Sequence, residues 1–128
     1  MSHESSVLIL DDERVVCERL QEHLEKLGLT VEIYTDSQEA IDRLAEQRFS
    51  VVVTDLKMKG PTGLDVLHFV RDHSPGTQVF IITGYATMEA ARDAEFSGVA
   101  GFITKPFQLD SIGKLISKAA AKASKQKG

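Results

Sequence analysis

Short apolar runs that alternate with stretches of helical spacing constrain this chain more than any other feature of its sequence. Val7-Leu8-Ile9-Leu10 and Val51-Val52-Val53 are continuous apolar segments, too short for helices and without the polar alternation of a half-solvated strand. Such runs belong to strands buried on both faces. Thr30 to Tyr34, Gln78 to Thr83 and Ala100 to Thr104 are the other expected strands. Between them lie the helices. Val16, Leu20, Leu24 and Leu27 share one helical face, with Gly28 as the stop. Asp36, with Glu39 three residues on, resembles a capping box and opens a helix through Ile41 and Leu44. Gly60-Pro61-Thr62-Gly63 is a turn cluster, followed by helical Leu64, Leu67 and Val70. Met88 to Ser97 reads as a fourth helix. Gln108 to about Ala123 reads as a fifth, with Leu109, Ile112 and Ile116 on one side.

Five strands alternating with five helices imply a parallel sheet covered on both faces. The expected fold is α/β, a (βα)5 doubly wound five-stranded parallel sheet of flavodoxin-like type. Its 128 residues suffice for one domain and not for two. The domain is expected over residues 5–123, with residues 1–4 and 124–128 as flexible termini.

Charge and composition exclude several classes. No apolar run approaches the roughly 20 residues of a membrane helix, and the polar start Met1-Ser2-His3-Glu4 is no signal peptide. One cysteine, Cys17, can form no internal disulfide, in keeping with a reducing, cytoplasmic setting. The net charge is −4, yet five lysines and no acid fall between Ser111 and Gly128, so the remaining body is the more acidic. Lys114, Lys118 and Lys122 mark the solvated face of the last helix and complement its dipole. An acidic body argues against direct nucleic-acid binding by this domain. His3 is in the tail, while His23, His68 and His73 lack metal-ligand spacing with Cys17 and read as surface residues.

In open parallel sheets, ligands sit at the carboxyl ends of the strands. Strand one ends in Asp11 and Asp12, strand three in Asp55, strand four in Thr83 and strand five in Lys105. Three carboxylates, a hydroxyl and an ammonium from distant parts of the chain thus meet on one edge. Two carboxylates ~4 Å apart repel by about 4 kcal/mol at an effective dielectric near 20. Three together require a cation or must take up protons. Hard oxygen donors suit Mg2+, which would screen an anionic Asp55 as it attacks phosphorus. An acyl phosphate on Asp55 would offer oxygens to Lys105 and to the Thr83 hydroxyl.

These residues resemble the receiver domains of bacterial response regulators. The matching motifs are Leu-Asp-Asp after strand one, Val-Thr-Asp-Leu-Lys-Met around Asp55, Ile-Thr-Gly-Tyr-Ala-Thr from Ile82, and Thr-Lys-Pro-Phe after strand five. The resemblance implies that Asp55 is the phosphoacceptor. It makes Asp12 a direct Mg2+ ligand and Asp11 one acting mainly through water, and gives the Lys57 carbonyl a place in the same sphere. It implies Thr83 and Phe102 as the switch pair and a cis Lys105–Pro106 bond. The donor would be a sensor histidine kinase, within a phosphorelay or two-component system. The domain would assist its own phosphorylation and dephosphorylation without independent turnover. Partner binding or homodimerisation would use the face of helix four, strand five and helix five, from Met88 to about Lys118. The stretch from Ile82 to Thr87 is similar to receivers of nitrogen-regulation-type enhancer-binding activators. At Lys59 the chain departs from the pattern, since such receivers usually carry proline four residues after the acceptor, and here Pro61 comes two positions later.

Three other readings compete. A flavodoxin-like FMN carrier needs a phosphate-holding loop after strand one, where Asp11-Asp12-Glu13 would repel it. A haloacid-dehalogenase-type phosphatase needs a second acid two residues after its nucleophile, where Lys57 stands. A plain binding module without phosphorylation is the third.

Overall fold

The computed structural model describes residues 5–84, 92 and 98–125. Five strands, β1 (Ser6–Leu10), β2 (Thr30–Tyr34), β3 (Val51–Asp55), β4 (Gln78–Thr83) and β5 (Gly101–Thr104), form one sheet in the order β2-β1-β3-β4-β5. All adjacent pairs are parallel. Four helices lie among the described residues: α1 (Arg14–Lys26), α2 (Ser37–Glu46), α3 (Gly63–His73) and α4 (Leu109–Lys125). The helix expected over Met88–Ser97 lies outside the described residues, apart from Arg92.

Alternation along the strands divides the core into two layers. Val7, Ile9, Val51, Val53, Phe80 and Ile82 face one way, against Cys17, Leu20 and Leu24 of α1 and Ile112 and Ile116 of α4. Leu8, Leu10, Val52 and Val79 face the other, against Ala40 of α2 and Val66, Leu67 and Val70 of α3. Both faces of β1 and β3 are buried, which is why their sequences carry no polar alternation.

The helix ends follow local rules. Gly28 has φ 91°, and the amides of Gly28 and Leu29 donate to the carbonyls of Glu25 and Leu24. That is a Schellman stop, for which glycine has no Cβ penalty. Asp36 accepts from the Glu39 amide at 2.9 Å, the first half of the expected capping box. The full reciprocal box is found instead at Thr62 and Asp65, opening α3. Boundaries shift slightly elsewhere: β1 begins at Ser6, β5 at Gly101, and the last helix runs from Leu109 to Lys125 rather than from Gln108 to about Ala123. Lys114, Lys118 and Lys122 are exposed on it, as its spacing implied.

What matters for the site is register. Leu10 stands opposite Thr54, so the next residues, Asp11 and Asp55, leave the sheet side by side. The chain reverses its direction across the sheet at β1, which makes the β1/β3 carboxyl edge the topological switch point.

Candidate functional site

The site is built from the ends of four strands. Asp55, the last residue of β3, is buried, and its Oδ1 accepts from the Lys57 amide at 3.3 Å. Asp11 follows β1 and is buried to 1% exposure. Its Oδ1 accepts from the Glu13 amide at 2.8 Å. Asp12 is exposed beside it. One carboxylate oxygen from each of Asp11, Asp12 and Asp55 lies within 4.8 Å of the others. The three acids that the sequence singled out are therefore brought together.

Lys105 reaches this cluster from the loop after β5. Its Nζ lies 2.8 Å from Asp11 Oδ2, 3.0 Å from Glu13 Oε1 and 3.3 Å from Asp55 Oδ2. Its amide donates to the Thr83 carbonyl at 2.9 Å, tying the β4 and β5 ends together. The Lys105–Pro106 bond is cis, as the resemblance implied. Thr83 closes β4 and is fully buried. Phe102 is half-buried and pairs with Ile81, two residues before Thr83. By the two-residue strand period, Phe102 and Thr83 share one face of the sheet.

Electrostatics follow from this packing. Burial pushes the Asp11 carboxyl above its usual range, opposed by the Lys105 contact and the Glu13 amide and reinforced by Asp55. Burial works against the Lys105 ammonium, but the carboxylates of Asp11 and Glu13 outweigh it and hold its pKa above the ordinary lysine value. Cys17, whose thiol donates to the Asp11 carbonyl, is pushed up to about 11 by burial and then by the Asp11 charge. It is a packing residue, not a nucleophile.

The donor set fits a hard divalent cation. Asp11 Oδ2 is buried and accepts no well-directed hydrogen bond among the described residues, its close neighbour being the Lys105 ammonium. A buried carboxylate oxygen in that position, with two further carboxylates in reach, is an oxygen-rich cradle of the kind Mg2+ prefers.

Three features of the site were not foreseen from the sequence. Glu13 joins the site through Lys105, although it follows the acidic pair directly and its acidic side chain was in view. Ser37, buried at the start of α2, donates its hydroxyl to the Lys59 carbonyl at 3.0 Å. That tie restrains the β3–α3 loop where the family pattern would place proline. Gly63 packs so closely that a Cβ there would collide with the Asp55 carbonyl oxygen and lie 2.9 Å from Leu56 Cα.

Comparison with known proteins agrees with this geometry. The family model described as response regulator receiver domain matches residues 7–117. PilR, a response regulator of Pseudomonas aeruginosa, is 31% identical over 112 residues, covering 88% of this chain and 25% of PilR. DctD, the C4-dicarboxylate transport transcriptional regulator of Rhizobium meliloti, is 30% identical, with 95% and 26% covered. The chain thus spans about a quarter of the length of these curated relatives. Among solved structures, a CheY-like receiver domain of Methanospirillum hungatei superposes with TM-score 0.90 at 24% identity, covering 95% of this chain and 98% of that one. The beryllofluoride-activated NtrC4 receiver dimer superposes with TM-score 0.87 at 28% identity, covering 93% and 98%. The relatives include enhancer-binding activators, as the Ile82–Thr87 motif suggested, and nothing among them favours the flavodoxin-like or dehalogenase-type alternatives. A matched region running from β1 into the last helix, over a sheet whose carboxyl edge gathers the same motifs, makes this chain a member of the response regulator receiver domains of two-component signalling.

Proposed function

We propose that Asp55 is the phosphoacceptor of this receiver and that Asp11, Asp12, Asp55 and the Lys57 carbonyl hold Mg2+ beside it. The observation that carries this reading is the meeting of Lys105 Nζ with Asp11 and Asp55 at the switch point of the sheet, from three distant stretches of the chain. An Asp55 oxygen attacks the phosphorus of a phosphodonor, such as the phosphohistidine of a sensor kinase. The new O–P bond forms as the donor's bond to phosphorus breaks, and the leaving group keeps the electron pair and takes a proton from solvent. Held by these residues, Mg2+ would neutralise charge on the carboxylates and the phosphoryl oxygens. Lys105 pairs with one phosphoryl oxygen, and the Thr83 hydroxyl donates to another. The domain turns over no separate substrate. The kinase-fed phosphoryl transfer proposed here places its work in the cytoplasm. Among the described residues no helix is long and apolar enough to cross a membrane.

Chelation tests the metal assignment. Labelling of the wild type by acetyl phosphate should fall to background in excess chelator and return on adding Mg2+. Equal labelling with and without the chelator would remove Asp11 and Asp12 from any metal role.

Output follows from Thr83 and Phe102. A hydrogen bond from Thr83 to a charged phosphoryl oxygen is worth roughly 1.5–3 kcal/mol, enough to shift a two-state element by one to two powers of ten. As Thr83 turns toward the phosphoryl group, Phe102 on the same face moves into the space released. The expected partner surface, whose stretch from Met88 to Ser97 lies outside the described residues apart from Arg92, then changes its affinity for a partner or a second copy, as befits a relative solved as an activated dimer. Thr83→Ala should still be labelled at Asp55 but lose most of the beryllofluoride-dependent change in the Phe102 ring signals. A change as large in the variant as in the wild type would exclude Thr83 as the relay.

A further inference from the structure

Lys105 has three carboxylate neighbours, and they are not equivalent. Asp11 and Asp55 belong to the cluster whose oxygens lie within 4.8 Å of one another; Glu13 does not. A divalent cation entering that cluster competes with the ammonium for Asp11 and Asp55, since both cations draw on the same lone pairs. The Glu13 carboxylate, 3.0 Å from Nζ, is left out of that competition.

The backbone of Glu13 is fixed in place. Its amide donates to Asp11 Oδ1 at 2.8 Å, and its carbonyl accepts from the amides of Val16 and Cys17 at 3.0 and 3.3 Å. It stands at the N-cap position of α1, yet its side chain makes no capping hydrogen bond there. The carboxylate is turned to Lys105 across 92 residues of chain. Held at one end by Asp11 and α1, Glu13 can offer the ammonium a resting place beside the cluster.

We infer that Glu13 is a positioning residue that draws the Lys105 ammonium aside so that a divalent cation can occupy the Asp11–Asp12–Asp55 cluster. This rests on the reading of that cluster as the Mg2+ site and adds to it a residue acting only through Lys105. Without Glu13, the ammonium settles on Asp11 and Asp55 and competes more strongly with the metal.

The test is a double-mutant cycle on Mg2+ affinity, read from amide chemical shifts during titration with MgCl2 at physiological salt and without phosphodonor. Glu13→Gln should weaken Mg2+ binding about two- to fivefold, the scale of a largely exposed ion pair. Glu18→Gln, which removes the same charge from the outer face of α1, should leave it unchanged. In a Lys105→Met background, Glu13→Gln should have no effect. A loss of the same size in that background, or one matched by Glu18→Gln, would show a general charge effect and overturn the inference. Unchanged affinity in Glu13→Gln alone would overturn it too. Wild-type protein that bound no Mg2+ at millimolar concentration would instead defeat the metal-site reading on which the inference rests.

Discussion

Replacing Asp55 by asparagine is expected to abolish phosphoryl labelling by acetyl phosphate while leaving the fold in place. The carboxamide is neutral and lacks the anionic oxygen that attacks phosphorus, so the loss should reach background rather than a partial rate. Folding should survive because the amide oxygen of asparagine can still accept from the Lys57 backbone N–H, which Asp55 Oδ1 meets at 3.3 Å. The substitution also removes one of three crowded carboxylates, and with it the charge that helps to raise the Asp11 carboxyl. Thermal unfolding followed by circular dichroism, beside a labelling assay, separates the two effects. A folded Asp55→Asn variant that labels at the wild-type level would place the acceptor elsewhere.

The second large effect belongs to a residue without chemistry. Gly63 opens α3, and its amide donates to the Leu56 carbonyl at 2.9 Å. A methyl group there would run into the Asp55 carbonyl oxygen and approach Leu56 Cα to 2.9 Å. Both are backbone atoms, so no side chain can swing away to make room. Gly63→Ala should cost about 1–3 kcal/mol of stability, the range for overpacking a tight interior. It should also displace the peptide that carries the acceptor. A displacement of ~1 Å at a reacting group is worth about a hundredfold in rate, so labelling should slow by tenfold or more in the fraction that folds. Gly84→Ala is the control, because a Cβ there meets nothing within 4 Å. Denaturant midpoints and labelling rates indistinguishable between the two variants would show that the close packing of Gly63 on Asp55 does not matter.

The contrast between these residues shows what a sequence of this kind discloses. Asp11, Asp12, Asp55, Thr83 and Lys105 were legible because each ends an apolar run, and a parallel sheet delivers such ends to one edge. The strands themselves were nearly exact in extent, since burial on both faces leaves an unbroken apolar signature that stops where the site begins. Gly63 and Ser37 were not legible. Their roles depend on how closely α3 approaches β3 and how α2 meets the β3–α3 loop, distances that no local pattern encodes. Glu13 stands between these cases: its charge was visible, but its pairing with Lys105 depends on a contact 92 residues away. The Thr62–Asp65 capping box had a local signature that the neighbouring Gly-Pro turn obscured.

Lys59 also gains a physical context. In place of the proline that would stiffen the loop through its fixed φ, the loop has Gly60 at φ 75° and a carbonyl held by the buried Ser37 hydroxyl. At position 59 the restraint comes from a tertiary hydrogen bond instead of from a ring. The Lys59 side chain is left exposed in that loop.

If phosphate is carried as an acyl phosphate on one side chain, borohydride trapping with peptide mapping will locate it. Wild-type protein treated with acetyl phosphate and Mg2+, then reduced, should contain homoserine in place of aspartate at position 55 and at no other acid. Homoserine at position 11 or 12, or phosphate retained on a histidine with position 55 unchanged, would contradict it.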